Sequence, residues 1–221
     1  MGLTAASKGT INSGTNADSY AFGAFTPSGN TPILVVGVAI NGTSPIASIS
    51  DSQSNVWVSA NGNDGAANSI HVWYTESPAV ASTVITVSFV GGTGAVGEVI
   101  EVPYGTFRQV GASTAVSTAT LQVGLASAFL TSSAGICFAF GASNPLTVSP
   151  PADWTELSDI GHAAPAFGME SAIRNSGETG STITWGTNSP VSWRAIVVEV
   201  LDNSPAAAVG RFFRSLLGVG R

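Results

Sequence analysis

The sequence predicts an all-β protein: a jelly-roll-like antiparallel β-sandwich built from two repeated halves, followed by a short C-terminal amphipathic helix. Three observations predict it. Only 9% of the 221 residues are charged and 26 are glycine, a composition that suits strands and tight turns rather than a helical bundle. Short segments of strand character recur between clusters of Gly, Pro, Asn, Asp and Ser. Similar segments also return, in the same order, at a nearly constant spacing of 97–100 residues, the signature of an internal repeat.

In the first half the strand segments are SYAFGAF (19–25), PILVVGVAI (32–40), NVWVSA (55–60), SIHVWYTE (69–76), TVITVSFV (83–90) and GEVIEVPY (97–104). HVWYTE and TVITVSF alternate with period two, as half-buried strands do, whereas ILVVGVAI is continuously apolar and reads as central. TPSGN, NGTSP, SDSQSN, NGNDG and VGGTG between them are turn chemistry. The second half follows the same grammar. Ser77 corresponds to Ser176, Ser82-Thr83 to Ser181-Thr182, Ile85-Thr86 to Ile183-Thr184, Glu101 to Glu199 and Trp57 to Trp154. The halves run over about 11–105 and 106–203, after an N-terminal arm of residues 1–10. No Pro- or Ser-rich linker separates them, which favours a shared sandwich over two beads.

Residues 204–221 stand outside the repeat. Ser204 can cap a helix and Pro205 fits its first turn. Val209, Phe212, Phe213, Leu216 and Leu217 fall on one apolar face, with Arg211 and Arg214 elsewhere on the wheel. A helix of this length is unstable alone, so the apolar face needs a cover: the chain's own sandwich, a neighbouring subunit or a membrane surface. These seven residues are the predicted assembly contact.

Charge excludes some functions. The net charge is −6, and residues 206–221 carry three Arg and no acid, leaving four bases against thirteen acids before them. An acidic body does not suit nucleic acid, which needs a basic face. No apolar run reaches the ~20 residues of a membrane span. The first ten residues lack the apolar core of an export signal. Composition suggests an extracellular working place, and either a particle assembled in the cytoplasm but acting outside or a substrate of a dedicated secretion system reconciles the two.

The candidate sites are few. GTGAVG (92–97) has dinucleotide-binding spacing, but EVIEVPY after it reads as a strand where a helix is required, so it is expected to be a hairpin turn. Glu98 and Glu101 lie three apart on a strand and face opposite sides. Glu101 and Glu199 are repeat-equivalent, which suits a shared structural role such as accepting hydrogen bonds from a turn; a glycoside hydrolase would need two carboxylates facing across a cleft. DSQSN (51–55) and NGNDG (61–65) offer oxygens for calcium but read as ordinary Asx turns. His71, His162 and Cys137 have no metal-ligand spacing, and Cys137 reads as a small buried apolar residue. No cofactor or metal is expected. Trp57 and Trp154 recur beside polar loops, where an exposed indole can stack on a sugar ring, although core packing is the commoner use of tryptophan.

The arrangement DSYAF…NTPILVVGVAI…SISDSQSNVWVSA…IHVWYTES…STVITVSF…VIEVPYG, with ADWTEL…STITWGTNSPVSWRAIVVEV after it, resembles the β-sandwich domains of phage structural proteins and of some bacterial surface proteins, over about 18–202. The resemblance lies in strand grammar and a few Trp, Asn and Glu positions. It implies a non-enzymatic virion component: a capsid decoration (cement) protein or a tail-associated protein. Its partners would be the major capsid protein or other virion subunits, together with copies of itself. It would be assembled in the host cytoplasm and exposed on the particle surface. The alternative is a glycan-binding module of a phage tail or bacterial surface, using Trp57 or Trp154.

Overall fold

The structure is a computed structural model that describes residues 3–12, 14–41, 46–63, 68–113, 120–144, 146, 148–187 and 193–205. Of the predicted helical tail, Ser204 and Pro205 are described and lie in no strand or helix; residues 206–221, with all seven contact residues, lie outside this set. The fold is all-β, with fifteen strands and no helix among the described residues. The first seven are β1 (Ala6–Asn12), β2 (Ala17–Ala21), β3 (Ile33–Asn41), β4 (Ile46–Asp51), β5 (Val58–Asn63), β6 (Asn68–Glu76) and β7 (Ile85–Val102). The remaining eight are β8 (Gly105–Ala112), β9 (Leu121–Gly124), β10 (Ala134–Gly141), β11 (Val148–Ser149), β12 (Thr155–His162), β13 (Phe167–Arg174), β14 (Thr182–Thr187) and β15 (Trp193–Asp202).

All ladders are antiparallel. Strands before residue 105 form one sheet of order β1-β7-β3-β6-β5, with β2 and β4 also paired to β7. Those after it form a five-stranded sheet of order β12-β13-β10-β15-β8 and a three-stranded sheet of order β11-β14-β9. No ladder among the described strands joins the two sets, so packing and not pairing holds them together.

Alternation along the strands explains the packing. Val35, Ala39, Ile70, Val72, Val96 and Ile100 project from one sheet, and Ile136, Phe138, Phe140, Met169, Ile196 and Val198 from the other, into a shared central cluster. The opposite face of the first sheet carries Val36, Val38, Ile40 and Val99, covered by Ile85, Val87 and Phe89. The opposite face of the second carries Cys137, Ala139, Ala172 and Val197, covered by Leu121, Val123, Ile183 and Trp185. ILVVGVAI is central because both of its faces are buried, which is why it does not alternate.

Two segments depart from the sequence reading. Residues 6–12, which overlap the N-terminal arm of residues 1–10, form the edge strand β1. GTGAVG is not a hairpin turn; it lies within β7. Gly91 at φ 86° comes just before it, where β7 passes from pairing with β2 and β4 to pairing with β1 and β3. The glycines serve close packing. A Cβ on Gly94 would sit 2.7 Å from the His162 ring, and one on Gly97 would sit 3.0 Å from the Gly37 carbonyl oxygen.

Candidate functional site

The carboxylates that sequence marks as candidates are separated in space. Glu98 is fully buried and points across the central packing face, where Ser158 and Ser171 donate hydroxyl hydrogen bonds to its Oε2. Glu101 accepts the backbone N–H of Ser28 at 3.0 Å and an ion pair from Lys8 at 3.3 Å. Glu199 accepts the backbone N–H of Leu130 at 2.8 Å, the hydroxyl of Ser133, and side-chain N–H groups of Gln109 and Arg108. Burial pushes the Glu199 carboxyl up, but the hydrogen bonds from Ser133, Leu130, Gln109 and Arg108 outweigh it, and the group ends below the usual carboxylate range. Lys8 and Arg108 each sit at a register shift, in β1 opposite Ile100 and Val99 and in β8 opposite Glu199 and Val200. A bulge re-aims a side chain, and in both places it turns a cation onto the buried glutamate.

The two tryptophans differ. Trp57 is partly buried and donates its indole N–H to Asp51 Oδ2 at 2.7 Å. Asp51 also accepts the backbone N–H groups of Gln53 and Asn55 and the Asn55 side-chain amide. The DSQSN carboxylate is therefore engaged with N–H donors, as an Asx turn requires. Part of NGNDG (64–65) lies outside the described residues. Trp154 is only 6% exposed. Its ring lies against Gly135, where a Cβ would approach to 2.2 Å, and edge-on to Phe129. Its indole N–H goes to Glu178 Oε2 at 3.2 Å. Burial raises the Glu178 carboxyl, yet the N–H groups of Gly180, Thr179 and Trp154, with the Arg174 charge, bring it below its ordinary value.

Beside Trp154 opens a pocket of about 270 Å³, lined by Pro151, Ala152, Asp153, Arg174, Glu178 and the Thr182–Thr184 segment. Sequence reasoning flagged Trp154 but not the pocket. Its walls come from three loop and strand segments, and no motif joins them.

Sequence reasoning also missed Glu170. It is 1% exposed, and its Oε1 has no hydrogen-bond partner. Burial, with the nearby charges of Glu156 and Asp159, pushes its pKa up to about 8 from an ordinary 4.5. A raised carboxyl stabilises the fold fully below its unfolded value, and that contribution is lost as pH rises through the folded one. Glu170→Gln is therefore expected to raise stability at pH 8 by roughly 2–4 kcal/mol and to flatten the decline between about pH 4.5 and 8. Urea denaturation across that range measures both effects.

Cys137 is fully buried, as expected, and burial raises its thiol pKa further. Among the described residues, no group of three His, Cys, Asp or Glu side chains is placed to hold a metal ion. No helix there is long and apolar enough to cross a membrane. No protein-family model matches the chain, and no curated protein matches it.

Proposed function

We propose that the chain is a non-enzymatic virion structural protein, a capsid decoration (cement) protein that binds the shell and braces it. The observation that carries this reading is the architectural use of four carboxylates, the buried Glu101 and Glu199 and the partly buried Asp51 and Glu178. Glu101 and Glu199 anchor turns and edge-strand cations, and Asp51 and Glu178 anchor loops and indoles. A rigid block with few surface charges suits a subunit whose weak contacts are repeated many times over a shell, where they sum.

The reading includes a duplicated, jelly-roll-like origin. In its support, the order β1-β7-β3-β6-β5 corresponds strand for strand to β8-β15-β10-β13-β12, and β2-β7-β4 corresponds to β9-β14-β11. The bulges at Lys8 and Arg108 also fall in corresponding places. The assembly contact is assigned to Val209, Arg211, Phe212, Phe213, Arg214, Leu216 and Leu217. Deleting 204–221 is expected to leave a cooperatively folding β-protein that no longer occupies particles or self-associates. Normal occupancy by the truncated chain contradicts the assignment.

A second reading, a glycan-binding module, is favoured by the pocket beside Trp154. Trp154 itself is too buried to offer a stacking face; Trp57 keeps more of its surface. Glycan-array binding that disappears in a folded Trp57→Ala or pocket variant supports this reading over the first.

A further inference from the structure

We propose that the Trp154 pocket is a subsite for one neutral hexose unit, with Asp153 as its principal polar contact. The proposal rests on the glycan-binding reading and specifies where and what that module would bind.

The pocket belongs to one half of the molecule. Around Trp57, the loop after β4 folds back on the start of β7. There Ser52 N–H donates to the Val84 carbonyl, Val84 N–H to Ser52 Oγ, and the Gln53 amide to the Ser82 carbonyl. Asp51, at the end of β4, holds the indole. Around Trp154 the connection is the shorter Pro150-Pro151-Ala152-Asp153, and Glu178 reaches in from after β13 to take the indole N–H. The loop that closes over the first site is thus replaced by an opening between 151–154 and 182–184.

Trp154 N–H donates to the Pro151 carbonyl at 3.0 Å, closing a four-residue turn with Asp153 third at φ 65°. That position favours Gly, Asn and Asp, which tolerate the left-handed region. The Asp153 side chain has no strong internal partner. It is 81% exposed, and its nearest cation, Arg174, lies 3.8 Å away. A carboxylate on the pocket rim, exposed and without a close internal donor, is free to accept hydrogen bonds from a ligand.

The other walls define the ligand. Thr182 and Thr184 are exposed on one face of β14 and offer hydroxyls, that of Thr184 also accepting the Gln122 amide at 3.3 Å, while Pro151 and the Trp154 edge offer apolar surface for the C–H face of a sugar ring. Arg174 is already engaged: it donates to Glu178 at 3.0 Å and to the Ser176 and Gly177 carbonyls. With Asp153 and Glu178 facing one occupied cation, an acidic sugar is disfavoured. The volume suits a single ring, so binding is expected to be weak per site and to gain strength by repetition.

The test uses the full chain and the methyl glycosides of glucose, galactose and mannose, with glucuronic acid as the charged control. Amide shifts of Ala152, Thr182 and Thr184 are followed by NMR. At least one neutral glycoside is expected to give saturable shifts confined to these residues, with a Kd on the order of millimolar. Asp153→Gly suits the turn, so it is expected to weaken binding at least ~10-fold with a Tm equal to or above that of the parent. The proposal is overturned by the absence of saturable shifts up to about 100 mM glycoside, by tighter binding of glucuronic acid, or by unchanged binding in Asp153→Gly. Array binding that survives Asp153→Gly but is lost in Trp57→Ala overturns the subsite and leaves the glycan-binding reading standing. Silence in both assays removes both.

Discussion

Phe138→Ala is expected to destabilise the protein by about 3–5 kcal/mol, the range for truncating a buried phenylalanine. Phe138 is fully buried on β10 in the central cluster. Its ring lies over Gly37 of β3, where an added Cβ would stand 2.6 Å from it. One sheet supplies the knob and the other the hole. Removing the ring leaves a void between two sheets fixed by their own ladders, and collapse there is limited. Urea denaturation is expected to show a lower midpoint at an unchanged m-value. Gly37→Ala should be destabilising in the parent, yet tolerated or favourable beside Phe138→Ala. A double-mutant cycle reads that coupling. A cost of Phe138→Ala below about 1.5 kcal/mol, or strict additivity with Gly37→Ala, would mean that the sheets do not meet this closely.

Glu199→Ala is expected to cost about 2–3 kcal/mol, because it removes a buried charged acceptor on which several donors converge. The side chain is fully buried. Its loss strands Leu130 N–H and takes the carboxylate from Arg108, 24% exposed, while Ser133 Oγ keeps the Leu130 carbonyl and Arg108 keeps the Ala128 carbonyl and the Ser127 hydroxyl. Glu101→Ala should cost less, since Glu101 gathers fewer partners, the Lys8 ammonium and one backbone N–H. The Glu199 carboxyl lies below its ordinary value, so its stabilisation is present above the unfolded pKa and is lost as pH falls through the folded one. Glu199→Gln should therefore flatten the acid limb of the stability profile, opposite in sign to Glu170→Gln on the other limb. Equal acid sensitivity of parent and Glu199→Gln protein counts against this account.

What the sequence revealed followed from local pattern. Alternation in 70–76 and 83–89 marked strands, the unbroken apolar run of 33–40 marked a strand buried on both faces, and the matched positions of Glu101 and Glu199 pointed to a common role in holding turns. What it hid depends on groups far apart in the chain. Phe138 against Gly37, Glu178 beneath Trp154, and Glu170 beside Glu156 and Asp159 arise only when sheets stack and edges align. Gly-rich 91–97 misled for a physical reason: glycine marks both turns and places where another group must approach closely, and here it is the second. ASKGTIN (6–12) lacks alternation, and only the structure shows its edge pairing and the Lys8–Glu101 anchor.

Electron microscopy of particles assembled with and without the chain tests the central proposal most directly. The account predicts added surface density that fits the stacked sandwich body, repeats with the symmetry of the shell, and disappears when residues 204–221 are deleted. Particles that bind no chain at saturating concentration, or that bind the truncated chain as fully as the intact one, would contradict it.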